Sequence, residues 1–317
     1  MHNQWISIWS LIATLPFTVS IDVIRSPVKV FILCGQSNME GKGSIEHLDE
    51  LTKSDPDTYG HLKTKSGKWR VREDVWIEFL GCKGGLTVGY AQPPNRFGPE
   101  LQFGNLLGDA LAEPVLLIKT AWGGRSLAVD FRSPSAGKVP YELDEELQAR
   151  IDNGEYKVGT YFHETVTIVY KVLEDLDKHF PAFKGHGYEI AGFVWFQGWN
   201  DRINQQHNDH YADNLSHFIR DVRKAFGNPN LPFIIGESGQ GGVDEKHPRA
   251  LSLMQHQVAV AMIPEFKESN VQFLETKIYF ENEPQFDGGY HWFGNAENFF
   301  NIGDAMGKAM LKLLEHN

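Results

Sequence analysis

Cysteine is nearly absent from this sequence: Cys34 and Cys82 are the only two in 317 residues. Two thiols build neither a disulfide framework nor a thiolate zinc site, and only a single bridge between them stays open. Cys34 falls inside an apolar run and reads as a small buried hydrophobe. Excess positive charge is lacking too. Lys and Arg total 30 against 41 Asp and Glu, a formal net charge of -11. That argues against a nucleic-acid binder, or a protein held on anionic lipid by its overall charge. Long apolar runs are confined to the N-terminus. There "WISIWSLIATLPFTVS" (5–20) has signal-peptide length and ends near the small residues Thr18 and Ser20, but no Lys or Arg precedes it. Residues 1–20 are read as a secretory signal, which makes the mature protein secreted or periplasmic; the competing reading is an N-terminal strand or a misassigned start. No second run of that length exists, so a multi-span membrane protein is excluded. The H-E-x-x-H pattern is missing, and "HNDH" (207–210) offers two His without a third ligand. No metal or other cofactor is expected.

What is present is ordinary globular composition, 41% hydrophobic and 22% charged, with enough chain for one large α/β domain. Neither an internal repeat nor a low-complexity linker divides it, so residues 21–317 are read as one domain. Short apolar runs alternate with helical patterns. Strands are expected at "VKVFILCG" (28–35), at "PVLLIKTAWGG" (114–124), ending in glycines, within "IAGFVWFQGWND" (190–201), where a polar turn follows, at "LPFIIGESG" (231–239) and at "VQFLETKIY" (271–279). Helices are expected near 97–112, 161–180, 210–227, 249–263 and 295–317. That alternation predicts an α/β fold, a three-layer α/β/α sandwich with a mainly parallel central sheet. Two stretches break the rhythm. Residues 42–97 resemble short strands or a hairpin in a long insertion, and 125–160 are charged and turn-rich. Long loops on a rigid scaffold tend to carry binding.

In such sheets ligands bind at the carboxyl ends of the strands, and four polar turns fall there. "GQSN" sets Ser37 between two amides after a buried strand, although Gly, Ser and Asn are also plain turn residues. "KTAWGGRSL" (119–127) puts Gly123 and Gly124 where backbone can approach a ligand, and Arg125 beside them faces either substrate or solvent. "WFQGWND" (195–201) crowds Gln197, Asn200 and Asp201. Asn200 can donate through its side-chain amide, whereas Asp201 is the better candidate for a helix cap. "DGGYH" (287–291) holds Asp287 and His291 four residues apart. A His base needs a carboxylate or carbonyl to fix its tautomer. Each turn alone is weak. Together they supply a nucleophile, oxyanion donors and an Asp/His pair.

These four blocks resemble those of the SGNH hydrolase superfamily. More closely, "GQSNMEG", "WGGRSL" and "WFQGWND" are similar to the sialate O-acetylesterase-like branch, related to carbohydrate esterase family six. The likeness spans about residues 28–310. It implies a flavodoxin-like α/β/α fold and a hydrolase that removes acetyl groups from sugar hydroxyls. In that reading Ser37, His291 and Asp287 are catalytic. Ser37, Gly124 and Asn200 form the oxyanion hole, and Gln36, Gln197 and Arg125 meet substrate. Two departures stand out. The superfamily usually places Asp three residues before His, not four, which leaves a Ser–His dyad helped by a backbone carbonyl as an alternative. Related esterases often carry "QGESD" where this chain has "QGWND", so Trp199 stands in place of an acid. Two rival functions remain: a catalytically idle carbohydrate-binding protein on the same scaffold, and a general esterase or lipase of the superfamily. An acetylated carbohydrate is the expected partner; Arg125 and Arg132 could meet an acidic sugar or pair with acids such as Asp130. Oligomeric state is not readable.

Overall fold

The structure, a computed structural model, describes residues 25–268 and 270–315. The N-terminal segment read as a signal lies outside these residues. Nine strands follow in chain order: β1 (Val28–Gly35), β2 (Gly43–Ser44), β3 (Val75–Phe79), β4 (Cys82–Gly85), β5 (Arg96–Phe97), β6 (Val115–Ala121), β7 (Tyr188–Phe196), β8 (Phe233–Gly236) and β9 (Val271–Leu274). Seven form one sheet in the order β4-β3-β6-β1-β7-β8-β9. All neighbours run parallel except the β3–β4 hairpin. β2 and β5 form a separate antiparallel pair.

The strand sequences explain why both faces are covered. Side chains alternate across a sheet with period two. In β1, Val28, Val30, Ile32 and Cys34 enter one core, where they meet the helices Thr160–Glu174, Tyr211–Ala225 and Pro248–Ala261. Phe31 and Leu33 enter the other, against the helices Ile45–Ser54, Glu100–Ala110 and Ala296–Leu314. β6, β7 and β8 divide the same way. Apolar residues on both faces are what continuous hydrophobic strands require, and the three-layer α/β/α sandwich follows.

Two expectations need correction. Residues 42–97 do hold short strands and a hairpin, β3–β4, but they are not strands alone. They contain the helix Ile45–Ser54, whose N-cap Ser44 accepts from the His47 amide at 3.2 Å. They also supply β3, which joins the main sheet beside β6. The expected helix over 161–180 is interrupted at Asp175, between Thr160–Glu174 and Leu176–His179. Cys34 is buried and Cys82 exposed, and both are free thiols.

One buried polar cluster supports the carboxyl edge of the sheet. Lys119 and Glu100 are both fully buried and paired at 2.9 Å. The Lys119 ammonium also donates to the carbonyls of Glu40 (2.8 Å) and Tyr90. Removing one partner of such a pair strands the other charge away from water. Lys119→Met is therefore expected to cost about 3–5 kcal/mol of folding stability, read as a lowered urea midpoint with unchanged slope. A midpoint within error of wild type would refute that role.

Candidate active site

Three adjacent strands deliver three of the four blocks. Gly35, the last residue of β1, is in register with Ala121 at the end of β6 and Phe196 at the end of β7. The turns after β6, β1 and β7 therefore emerge level with one another. β1 lies between the two halves of the sheet, where connections change direction and ligands of open α/β sheets bind. Gly35 must be glycine: a Cβ there would come within 2.1 Å of the Phe196 carbonyl oxygen. The close approach lets the chain turn at once into the four-residue helix Ser37–Glu40. Ser37 stands at its start and is 8% exposed.

The side chains around Ser37 form a connected set. Gln36 Nε2 donates to Asn200 Oδ1 at 3.2 Å, and Gln36 Oε1 accepts from the amides of Gly198 (3.3 Å) and Asn200 (3.4 Å). One hydrogen of Asn200 Nδ2 goes to the Gly124 carbonyl at 2.9 Å. An amide nitrogen carries two hydrogens, so the second is left for a ligand. The neighbouring glycines divide in the same manner. The Gly123 N–H is taken by Glu40 Oε1 at 2.7 Å. Gly124, at φ +70°, has open space where a Cβ would sit, and its N–H has no partner among the described residues.

Asp287 and His291 meet despite their four-residue separation. His291 Nδ1 lies 3.1 Å from Asp287 Oδ2. The loop closes on itself to achieve this, because the Phe293 carbonyl accepts from the amides of Phe286 (2.6 Å) and Asp287 (2.9 Å). Trp292 and Phe293 are held at φ 54° and 53°, a region that non-glycine residues rarely occupy. Buried Trp292 pins the strained turn in the core. Asn38 Nδ2 donates to the Tyr290 carbonyl at 3.1 Å and so ties the Ser37 turn directly to the His291 loop. Ser37 Oγ and His291 do not share a hydrogen bond here, a contact that often tightens only around substrate. Burial lowers the His291 pKa below its ordinary 6.5, with Asp287 opposing.

Other expected site residues sit differently. Gln197 is 2% exposed, and both ends of its amide are committed: Nε2 to Asp201 (2.6 Å) and the Arg125 carbonyl (2.9 Å), Oε1 to Tyr211 Oη (3.1 Å). Gln36 is equally buried. Gln197 has both amide hydrogens committed and Gln36 one of its two; both side chains are buried and brace the site from behind. Asp201 is not a helix cap. Its carboxylate accepts from the amides of Leu127 (2.8 Å) and Ala128 (2.9 Å), and this stitches the third block to the second. Burial pushes its carboxyl up to about 7 against those donors. Arg125 reaches Asp130 at 3.4 Å and lies over the Tyr161 ring at 4.6 Å. Arg132 is buried and donates to backbone carbonyls and Asn214 instead of a carboxylate. His207 and His210 flank the Tyr141 ring at 5.8 and 5.3 Å. Among the described residues no three His, Cys, Asp or Glu side chains gather as a metal cluster, and no helix is long and apolar enough to cross a membrane. Asn38, read from the sequence as holding the Ser37 turn, ties that turn to the His291 loop; Glu40 was missed as a site-building residue, and the one available signal was a Glu beside glycines in a motif after a strand.

The family described as carbohydrate esterase, sialic acid-specific acetylesterase matches residues 27–297. The chain belongs to that family. Its membership agrees with the SGNH hydrolase, carbohydrate esterase-like resemblance of the four blocks. A probable carbohydrate esterase of Arabidopsis thaliana is 23% identical over 246 residues, covering 73% of this chain and 78% of that protein. A crystal structure of a protein from the same Arabidopsis locus aligns with a TM-score of 0.57 at 17% identity, over 90% of this chain and 98% of that one. A carbohydrate acetylesterase from Xanthomonas citri aligns with a TM-score of 0.55 at 13% identity, over 91% of this chain and 57% of the other. At these identities the structural likeness is one of fold. The carbohydrate esterase assignment rests on the family match.

Proposed function

We propose that this carbohydrate esterase-family protein is a serine hydrolase that removes O-acetyl groups from carbohydrate hydroxyls. The observation that carries the reading is the Asn200 amide. Gln36 and the Gly124 carbonyl hold it, with one N–H unspent, beside the turn that bears Ser37. A preoriented donor of this kind is what developing negative charge on a carbonyl oxygen requires.

With the imidazole proton on Nδ1 and directed at Asp287, Nε2 is the base. It takes the proton from Ser37 Oγ as that oxygen attacks the acetyl carbonyl carbon. The Ser37 and Gly124 amides and Asn200 Nδ2 receive the oxyanion. His291 then gives its proton to the departing sugar oxygen, which leaves an acetyl ester on Ser37. Water, deprotonated by His291, attacks that ester; acetate leaves and Ser37 recovers its proton. Gln36 and Gln197 act through Asn200 and Asp201, which they position.

The test is acetate release from a panel of acetylated glycans, run beside Asn200→Ala. Removing one oxyanion donor typically costs about 10²–10³ in turnover, so kcat should fall by that factor with KM little changed. Wild-type turnover in the variant would remove Asn200 from the mechanism. A lipase of the same superfamily would prefer p-nitrophenyl octanoate to p-nitrophenyl acetate; this site is expected to prefer the acetate.

A further inference from the structure

The turn after β6 is tied at three points and left open at one. The Trp122 amide donates to the Gly35 carbonyl at 3.2 Å. The Gly123 amide donates to Glu40 Oε1 at 2.7 Å. The Gly124 carbonyl accepts from Asn200 Nδ2 at 2.9 Å. The Gly124 amide lies between these last two ties and is the unspent one. Glycine is the residue most costly to hold in one conformation. An oxyanion donor built on Gly123–Gly124 therefore depends on whatever fixes the turn. Glu40 fixes it from the end of the Ser37–Glu40 helix. A Cβ on Gly123 would come within 3.2 Å of Glu40 Oε2, so the carboxylate packs directly against the turn.

A carboxylate is an awkward acceptor for that task. It sits one peptide unit from the amide meant to receive negative charge, and like charges at such range repel strongly where water is scarce. The structure supplies a counter-charge. Lys42 Nζ pairs with Glu40 Oε2 at 2.9 Å, with side chains only 12% and 11% exposed. Both partners are held in turn. Lys42 also donates to the Gln92 carbonyl, and the Glu40 carbonyl accepts from buried Lys119 at 2.8 Å. The pair acts on the base as well. Glu40 and Asp287 favour the His291 imidazolium, whereas Lys42 opposes it. The Tyr290 ring packs on the imidazole at 4.3 Å. Glu40 and Lys42 thus offset each other at the base.

We propose that Glu40 and Lys42 are positioning residues, a charge-neutral clamp that holds the Gly123–Gly124 turn and keeps the Gly124 amide free for the oxyanion. Glu40 supplies the acceptor, and Lys42 keeps its charge from opposing the chemistry. The catalytic purpose of the clamp rests on the esterase reading above. The clamp itself belongs to the folded chain and can be read without catalysis.

The experiment measures kcat, KM and the pH profile on p-nitrophenyl acetate for wild type, Lys42→Met, Glu40→Ala and the double variant Glu40→Gln with Lys42→Met. Lys42→Met leaves the Glu40 charge unbalanced, so kcat should fall about tenfold with KM little changed. The acid limb of kcat/KM should move to higher pH, because Glu40 then raises the His291 pKa without Lys42 to oppose it. The double variant keeps an acceptor for Gly123 and carries no charge. It should regain most of the lost kcat and return the limb toward wild type. Glu40→Ala frees the turn and should lower kcat about 10²-fold. Amide exchange of Gly123, followed by NMR in the same proteins, reads the clamp directly. It should be slow in wild type and the double variant and about tenfold faster in Glu40→Ala. An unmoved limb in Lys42→Met, or a double variant no faster than Lys42→Met, overturns the charge balance, since a merely structural pair would behave so. Equal Gly123 exchange in wild type and Glu40→Ala overturns the clamp. Gly123 protection that is lost in Glu40→Ala, in a wild type without Ser37-dependent acetate release, would strike the esterase reading and leave the clamp standing.

Discussion

Ser37→Ala should reduce turnover of an acetylated glycan by about 10⁵–10⁶, the loss seen when a hydrolase triad loses its nucleophile. The protein itself should be nearly undisturbed. Ser37 Oγ makes no hydrogen bond among the described residues, and the substitution keeps the start of the Ser37–Glu40 helix intact. Stability should therefore shift by no more than about 0.5 kcal/mol. A serine-directed phosphonate should add its mass to wild type and not to the variant. Ser238 is the informative control. It lies at a comparable depth, 7% exposed, just past the carboxyl end of β8, but its hydroxyl is tied to Gln240 Oε1 at 3.1 Å. Ser238→Ala should keep both activity and labelling. An unlabelled wild type would favour the idle carbohydrate binder. Full turnover in Ser37→Ala would place the nucleophile elsewhere.

The reason Ser37 could be singled out is that strand ends are local features. A run such as "VKVFILCG" is apolar on both faces and stops at a glycine, so its end is visible without knowing its neighbours. β6 and β7 end instead where glycine-bearing turns begin, "WGG" after Ala121 and "QGWND" after Phe196, and those turns give the positions of Gly124 and Asn200. The helix Ile45–Ser54 was less visible. Its sequence, "IEHLDELTKS", is mostly polar, and only His47, Leu48 and Thr52 are buried. Its weak stripe gains a partner only when the helix Ala296–Leu314, about 250 residues later, packs against it. β3 was misplaced for a similar reason. "VWIEF" reads as half of a hairpin, which it is, but its parallel pairing with β6 is a long-range fact.

Hydrogen-bond commitments were the least legible part of the site. Gln36 and Gln197 look equally able to meet a substrate in sequence. Only the fold shows that each amide is buried and bonded to protein partners, and that Gly123 gives its N–H to Glu40 while Gly124 keeps its own. A count of donors after folding is what separates a residue that touches substrate from one that aims its neighbour. The active face is thus built in two layers. Ser37, Gly124, Asn200 and His291 have an unspent group on the reacting side, and Gln36, Asn38, Glu40 and Asp201 are buried behind them and hydrogen-bonded to protein partners.

His291→Ala should be as damaging as loss of the nucleophile, with a fall of about 10⁵–10⁶ in kcat. The companion variant at Asp287 tells more. Burial holds the His291 pKa below 6.5, and Asp287 partly offsets that by favouring the imidazolium. The base form therefore prevails at neutral pH. In wild type kcat/KM should decline only as pH falls through a pKa under 6.5, since protonation of Nε2 removes the base. Asp287→Ala withdraws the group that raises this pKa, so the acid limb should move to still lower pH. Rate and limb should then part company. The limb shifts toward conditions that favour activity, while kcat on the plateau drops by about 10²–10⁴ because the imidazole loses its tautomer and its charge partner. A residue that only shaped the loop would lower the rate without moving the limb. An unchanged plateau with an unmoved limb would mean that a backbone carbonyl, and not Asp287, orients His291.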